Sequence, residues 1–455
     1  MEEFYHALKV SSTACTGCTH CMTVCPTQAI RIHHRLATIN GAACVDCGMC
    51  LKTCPRRAIF VEQDDFNRIF HFRYRVILLP TVVFGQFAEE VSEEQIFAEL
   101  HAMGFTHVIE TDQSVDILTD AMRAYMQKNR PLRPFISAFC PAVVRLIQVR
   151  FPSLIGHVIP LKQALDLSAL YARQKLKEQG VPEEEIGVFY VTPCAAKIAA
   201  IKSPVGEEVS PVDGVINMDF IYNKIKMGLT RRDHQPPPPT SGQGYLSPTS
   251  IAWTLSEGEA SSFDGRCLAI DEIHNVIDIL EKLENEEITD IDFIELRACD
   301  HSCAGGALST NNRFLVIERL RARMKASATR QYPHDQEIER HAAYLKAQSP
   351  LPGKIVPRSI EKLDENRSVA MEKMQKINRI MEIIPRIDCG ACGAPSCRTL
   401  ARDVVQGKAK LSQCAFIQKT LVQEGLMTPE EAIEIAENTW GKNRFSNNKQ
   451  ETSCK

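Results

Sequence analysis

The sequence predicts an α/β domain of mainly parallel strands that lies between two small cysteine-rich domains. Apolar runs rich in β-branched residues, such as 75–84, alternate with helical patterns such as 93–104 and 114–129. That alternation is typical of a parallel sheet with crossover helices. Two similar cysteine blocks occupy residues 15–54, and a third occupies 389–414. The alternation therefore predicts the central domain, and the cysteine blocks predict its two flanks.

The predicted domain boundaries follow changes in composition. A proline- and glycine-rich stretch from Pro236 to Gly244 is expected to be a loop inside the central domain. Three prolines between 350 and 357 indicate a linker, and an amphipathic helical pattern over 359–383 follows it. The predicted order is a cysteine domain at 1–62, the α/β domain at 63–346, a linker and long helix at 347–385, a small helical cysteine domain at 386–420 and a helical tail at 421–455.

The bulk composition excludes several classes of protein. A net charge of −3 provides no basic surface for nucleic acid or for an anionic membrane. No apolar run approaches the ~18 residues that span a bilayer. The first ten residues lack the basic and apolar regions of a secretory signal, so we expect a cytoplasmic protein. In that compartment, 18 cysteines favour metal centres over disulfides.

The first cysteine group contains the pattern C-x2-C-x2-C-x3-C-P twice, beginning at Cys15 and at Cys44. A [4Fe–4S] cube needs one thiolate for each iron, and in two-cluster proteins the fourth cysteine of each run serves the other cube. Zinc is the alternative, but it usually takes separated C-x2-C pairs. The pattern resembles bacterial ferredoxins and predicts two cubes. The expected ligand sets are Cys15, Cys18, Cys21 and Cys54 for one cube, and Cys25, Cys44, Cys47 and Cys50 for the other.

Four scattered cysteines lie in the α/β domain, where apolar strands are predicted to end: Cys140, Cys194, Cys299 and Cys303. Sites in such domains assemble at the carboxyl ends of strands, so we expect these thiols to converge on one buried cluster. Gly305 and Gly306 follow the last cysteine and allow the backbone or a cofactor to approach closely. For any one of these cysteines alone, a buried structural thiol is the alternative.

The segments around these cysteines resemble the three signature loops of the [FeFe]-hydrogenase large subunit. SAFCP is similar to TSCCP, TPCAAK is similar to MPCxxK, and ELRACDHSCAGG is similar to the third loop. The resemblance covers roughly residues 1–320. It implies that the four cysteines hold a cube and that Cys303 bridges it to a two-iron subsite carrying CO, cyanide and azadithiolate. It also implies that Lys197 hydrogen-bonds one cyanide, with Pro80 and Thr81 near the other.

The chain departs from that family's pattern at the positions that move protons. Phe139 replaces a cysteine that passes protons in high-turnover members, and Ala200 replaces an acid. Thr192 and Arg297 replace two methionines. Proton relays typically contribute about 10²–10⁴ in rate, so the resemblance implies slow turnover unless a residue such as His301 supplies another route. These traits resemble the sensory-type branch of the family.

The last cysteine group has four members: Cys389, Cys392, Cys397 and Cys414. It resembles the [4Fe–4S] domain of electron-transfer complexes and corrinoid iron–sulfur proteins, with zinc as the alternative. Sensory hydrogenases often carry this domain, commonly followed by a PAS module. Because about 40 residues follow here, we expect any signal output to lie in a partner.

The sequence thus predicts an anaerobic hydrogenase of low turnover that interconverts H2 with protons and electrons, with a preference for H2 sensing or redox signalling. Its catalytic residues would be Lys197 and Cys303, although a solvated helix residue is the alternative for Lys197. The expected cofactors are three [4Fe–4S] clusters and one H-cluster. The expected partners are H2, protons, maturation proteins, and a redox or signalling protein such as a kinase, phosphatase or PAS protein. The alternative is an electron-transfer or cluster-assembly protein with only a cubane at the central site.

Overall fold

The computed structural model describes residues 4–231, 246–329, 336–358 and 363–442, so the predicted loop at 236–244 and Cys454 lie outside the described residues. The strands are β1 (Leu8–Val10), β2 (Ile30–His33), β3 (Leu36–Ile39), β4 (Ile59–Val61), β5 (Tyr74–Leu79), β6 (His107–Glu110), β7 (Phe135–Ile136), β8 (Ile186–Thr192), β9 (Gly214–Asn217), β10 (Cys267–Ile270) and β11 (Phe293–Leu296).

Seventeen helices accompany these strands within the described residues. They are α1 (His20–Thr23), α2 (Met49–Thr53), α3 (Glu93–Ala102), α4 (Val115–Lys128), α5 (Pro141–Arg150), α6 (Ala164–Glu178), α7 (Ala195–Lys202), α8 (Met218–Arg231), α9 (Pro248–Ala252), α10 (Ile273–Glu284), α11 (Arg313–Thr329), α12 (Gln336–Arg340), α13 (Ala342–Gln348), α14 (Arg367–Ile383), α15 (Cys397–Val405), α16 (Ala415–Gln423) and α17 (Pro429–Trp440).

The chain divides into two compact units, and the larger comprises Met1–Ala7, Val45–Gly48 and Val61–Arg358. It holds a four-stranded sheet of order β6-β5-β8-β9 and a three-stranded sheet of order β10-β11-β7. All pairs in both sheets are parallel. Every residue of β8 and β11 is buried, which explains why these strands appear in the sequence as continuous apolar runs. The predicted α/β architecture is therefore confirmed.

Helices cover the strands because their apolar faces require burial. Leu118 and Met122 of α4 pack with Leu167 of α6 and with Trp253 in one core cluster of the larger unit. Trp253 is fully buried. This packing fixes the loops that follow the strands, since the strands end against a rigid core.

The smaller unit comprises Leu8–Cys44, Met49–Phe60 and Ser359–Lys455. Strands β2 and β3 form an antiparallel hairpin, as in a ferredoxin-like domain. Ile377 of α14 packs with Leu400 and Ala401 of α15 around the last cysteine group. Helix α17 begins at Pro429, and Thr428 forms a capping box there with Glu431. None of the described helices is long and apolar enough to cross a membrane.

Candidate functional site

The four scattered cysteines lie where strands end, as the sequence predicts. Cys194 follows β8 by one residue, and Cys299 follows β11 after two residues. Cys140 and Cys194 are also the N-cap residues of α5 and α7. Because unpaired backbone N–H groups and the helix dipole favour negative charge at a helix start, both thiols are placed to hold an anionic cluster.

The structure brings these four thiols within electrostatic range of one another. Burial raises the pKa of the Cys194 thiol, and the neighbouring Cys299, Cys303 and Cys140 raise it further. Burial likewise raises the pKa of Cys140. Metal binding replaces the protons of such thiols. A shared metal centre therefore suits their positions.

Two glycines allow the loops that carry Cys194 and Cys303 to touch. A Cβ on Gly306 would lie 2.7 Å from the carbonyl oxygen of Pro193. A Cβ on Gly305 would collide with the carbonyl oxygen of Asp300. Close backbone approach is thus the reason for glycine at both positions. Their predicted contact with a cofactor remains a prediction.

Lys197 lies in the first turn of α7 and is 6% exposed. Its Nζ donates to the Tyr190 hydroxyl at 3.2 Å and lies 4.5 Å from the centroid of the Phe139 ring. Burial lowers the pKa of Lys197, but Tyr190, Cys303 and Cys194 outweigh burial and raise it above its ordinary value. Lys197 is therefore a buried cation that faces thiols, and it suits an anionic ligand.

A small cavity, with about 10 Å³ of space open to water, adjoins this cation. Pro80, Asp112, Tyr190, Lys197 and Cys303 are among its lining residues. Thr81 is fully buried beside the cavity, and its backbone N–H donates to the Asp112 carboxylate at 2.7 Å. The predicted residues Pro80, Lys197 and Cys303 thus meet at one cavity, and Thr81 holds an acid that lines it.

Two of the departures from the hydrogenase pattern are neighbours in space. The Arg297 guanidinium lies over the Phe139 ring, 3.5 Å from its centroid. Arg297 also pairs with Glu259 at 2.8 Å and with Glu295 at 3.1 Å, and all three side chains are almost fully buried. Ser137 donates to the Glu259 carboxylate at 2.7 Å. The two acids that pair with Arg297 are therefore held in ion pairs.

His301 does not line the cavity, among the residues described. It adopts a left-handed backbone conformation, and its side chain is 38% exposed. Its ring packs against Phe314 at 4.8 Å. The position favours a surface role over proton delivery to the cavity.

The N-terminal cysteines group as the interleaved assignment requires. Cys21 is buried among Cys18, Cys15 and Cys54, and burial followed by these thiols raises its pKa to about 12. Burial raises the pKa of Cys50 to about 12, with Cys25 as its first cysteine neighbour. Cys54 thus lies with the first run and Cys25 with the second. The ligand sets themselves remain predictions.

The C-terminal cysteines line a separate small cavity: Cys389, Cys392, Cys397 and Cys414. Burial raises the pKa of Cys392 to about 11, and Cys414 and Cys389 add to the shift. The backbone N–H of Cys397 donates to Asp388 at 2.6 Å. Four grouped thiols with an enclosed space between them match the donor set of a cube.

The sequence analysis missed several residues of the central site. Tyr190, Asp112 and Glu259 are buried there, and none belongs to a cysteine motif. Tyr190 lies inside an apolar strand, where a tyrosine suggests ordinary packing. The one available signal was the requirement that a buried Lys197 have a partner.

Three segments of the chain match known protein families. Residues 14–59 match a 4Fe-4S dicluster domain, residues 76–237 match the C-terminal domain of the iron only hydrogenase large subunit, and residues 384–416 match an Fe-S cluster family. These matches indicate an iron–sulfur protein with several cluster domains. Residues 76–237 are thus similar to the iron-only hydrogenase large-subunit family, and the two flanking segments are similar to a dicluster domain and to a second iron–sulfur family.

Individual relatives are distant. The NADP-reducing hydrogenase subunit HndD of Solidesulfovibrio fructosivorans is 23% identical over 42% of this chain, which spans about a third (31%) of that relative. A variant of [FeFe]-hydrogenase HydA1 from Chlamydomonas reinhardtii is 14% identical, with 65% of this chain and 96% of that chain covered and a TM-score of 0.48. An apo variant of the same enzyme is 13% identical with the same coverage and a TM-score of 0.46.

Proposed function

We propose that this chain is a cytoplasmic [FeFe]-hydrogenase of low turnover that interconverts H2 with protons and electrons. The observation that carries the proposal is the convergence of Cys140, Cys194, Cys299 and Cys303 beside the buried cation Lys197. A cube requires four thiolate ligands, and an anionic diiron subsite requires a cation beside it. The family match over 76–237 supports the same assignment.

In this proposal the four thiols hold the cube, and Cys303 also faces the space for the diiron subsite. That subsite supplies an open Lewis-acidic iron and an adjacent base, which together split H2 heterolytically. Lys197 holds an anionic ligand of the subsite in place, and Tyr190 fixes the ammonium by accepting one of its N–H groups. Pro80 and Asp112 line the same cavity.

We further propose that the protein serves H2 sensing or redox signalling. The Phe139 ring cannot carry a proton, and the neighbouring Glu259 is paired with Arg297. Loss of a proton relay lowers turnover, which a sensor tolerates better than a metabolic enzyme. Electrons would leave through the N-terminal and C-terminal [4Fe–4S] clusters to a redox or signalling partner such as a kinase, phosphatase or PAS protein. Hydrogenase maturation proteins would load the central site.

One observation favours a second function. A central site without a working relay is also what an electron-transfer or cluster-assembly protein with only a cube would have. Infrared spectroscopy of the anaerobically matured protein under H2 and under argon separates the two. CO and cyanide bands that change with the gas support the hydrogenase. Their absence, with iron retained, supports the cube-only protein. Turnover equal to that of ordinary hydrogenases would contradict the sensory role.

A further inference from the structure

A second cavity, with about 70 Å³ of space open to water, lies next to the central one within the larger unit. Its lining combines apolar side chains with charged ones, including Lys162, Asp166 and Glu207. Lys162 and Glu207 form an ion pair, and their side chains are 7% and 13% exposed. Buried charges in a cavity of this size need water or partners, so the space suits solvent.

Gln163 and Leu165 line both cavities and therefore form the wall between them. The Gln163 amide nitrogen donates to the carbonyl oxygen of Ala138 at 3.3 Å. Its Oε1 is buried and has no hydrogen-bond partner among the described residues. An unsatisfied acceptor at the wall is a binding position for a water molecule that bridges the two spaces.

Asp166 faces this second cavity one turn along α6 from Gln163. Burial, followed by the nearby Glu207, raises the pKa of Asp166 to about 7. Lys162 and Lys197 act in the opposite direction, so the acid responds to the charges of both cavities. A carboxyl group with a pKa near the working pH both takes up and releases protons readily.

Ala200 lines the same cavity. The hydrogenase pattern has an acid at that position of the sequence, and here α7 provides only a methyl group. Asp166 lies on α6, and Glu207 lies in the loop that follows α7. Both residues line this cavity and supply a carboxylate to it. The cavity therefore contains a carboxylate from Asp166 on α6, although Ala200 on α7 provides none.

We propose that protons move between solvent and the central cavity through this second cavity, with Glu207 and Asp166 as carriers and Gln163 as the holder of a bridging water. Glu207 takes a proton from water and passes it to Asp166. Asp166 then releases the proton, through the water held by Gln163, towards Lys197 in the central cavity. Only O–H bonds form and break, and the electrons move separately through the clusters. The inference rests on the proposed hydrogenase function and deepens it.

A purely structural role of Asp166 in helix capping is the alternative to proton transfer. Asp166 is also the N3 residue of α6, and its carboxylate accepts the backbone N–H of Gln163 at 3.3 Å. Asp166→Asn keeps an acceptor for that cap but cannot carry a proton. Asp166→Glu keeps the proton carrier. Glu208→Gln is the matched control, because Glu208 is exposed and adjoins Glu207.

The first measurement needs no hydrogen chemistry. Infrared spectra of the full chain with its iron–sulfur clusters are recorded from pH 5 to pH 9 in H2O and D2O. We expect a protonated-carboxyl band that titrates near pH 7 and shifts promptly in D2O. Burial also raises the pKa of Glu110 and of Glu259 to about 7, so their contribution to this band should remain in Asp166→Asn. The contribution of Asp166, obtained by subtracting the spectrum of Asp166→Asn, should be unchanged in Glu208→Gln. In Glu207→Gln it should titrate at lower pH, because a like charge is removed. A band unaffected by Asp166→Asn would overturn the proposal.

The second measurement follows exchange of H2 with D2O by mass spectrometry on the matured protein. We expect Asp166→Asn and Glu207→Gln to slow exchange about 10²-fold, with Asp166→Glu restoring most of it. Unchanged exchange in both variants would overturn the route while leaving the hydrogenase function intact. No exchange in any form, including the unmodified protein, would instead overturn the proposed function and the route that rests on it.

Discussion

The guanidinium of Arg297 lies 3.5 Å from the centroid of the Phe139 ring. In the hydrogenase pattern these positions hold a methionine and a cysteine, and they are separated by more than 150 residues of sequence. Because the cation packs on the ring and also pairs with Glu259, the two departures depend on each other. The first prediction follows from that dependence.

Phe139→Cys alone should not restore fast turnover, since Arg297 still pairs with the Glu259 carboxylate. The double variant Phe139→Cys with Arg297→Met should raise the rate of H2 evolution by about 10²-fold over the unmodified protein, because a thiol and a free acid are then both present. Phe139→Leu with Arg297→Met is the control without a thiol. Equal rates in the single and double cysteine variants would show that Arg297 does not restrain Glu259.

Lys197→Met should abolish the CO and cyanide bands of the matured protein while leaving the iron–sulfur absorption in place. The reason is that a buried methionine cannot neutralise an anionic diiron subsite. Lys202→Met on the same helix is the matched control, because its ammonium is 27% exposed and pairs with Asp64 at 2.5 Å. Normal bands in Lys197→Met would remove that lysine from the site.

Iron content tests the ligand sets directly. Cys392→Ser should lower the iron content by about four atoms per chain, since one cube is lost when a ligand is missing. Cys267→Ser should leave the iron content unchanged, because this half-buried thiol donates only to the carbonyl oxygens of Phe263 and Asp264. Metal analysis of the two variants purified side by side gives the answer. Equal iron in both would exclude Cys392 as a ligand.

Asp166 should make stability depend on pH. Its pKa is raised to about 7 in the folded chain, so the folded state holds a proton that the unfolded state has released. Stability should therefore fall as pH rises from about 4 to about 7, at roughly 1.4 kcal/mol per pH unit for this group. Asp166→Asn should raise the thermal midpoint at pH 8 and change it little at pH 4. A variant that melts lower at pH 8 would contradict this assignment.

The last prediction concerns the smaller unit. The Arg31 guanidinium pairs with Asp403 at 2.6 Å, and the two side chains are only 12% and 9% exposed. Removing one partner of a buried pair costs about 3–5 kcal/mol. Asp403→Asn should therefore accelerate hydrogen exchange at the Ile32 amide, which donates to the Gly393 carbonyl at 2.8 Å. Arg402→Gln changes a half-exposed neighbouring residue and should leave hydrogen exchange at the Ile32 amide unchanged. Equal exchange in both variants would argue against this role for the pair.

The cysteine motifs and the strand ends were predictable because both are local features of the chain. Spacing alone indicated the N-terminal and C-terminal cysteine groups, and apolar runs placed Cys140 and Cys194 at the ends of strands. The parallel sheets followed from alternating periodicities that each span only a few residues. Lys197 was predicted from the resemblance of TPCAAK to the second signature loop of the hydrogenase family, and its position three residues after Cys194 agreed with that role.

Tertiary structure alone decided which distant side chains share a space. No local pattern links Asp166 to Ala200, yet both line one cavity because α6 and α7 lie on either side of it. The same is true of Arg297 on Phe139 and of Tyr190 beside Lys197. The sequence by itself determined which metal donors this protein carries and where its strands end. Packing determined the charges and acids around those donors, because contacts between remote residues exist only after the core has formed.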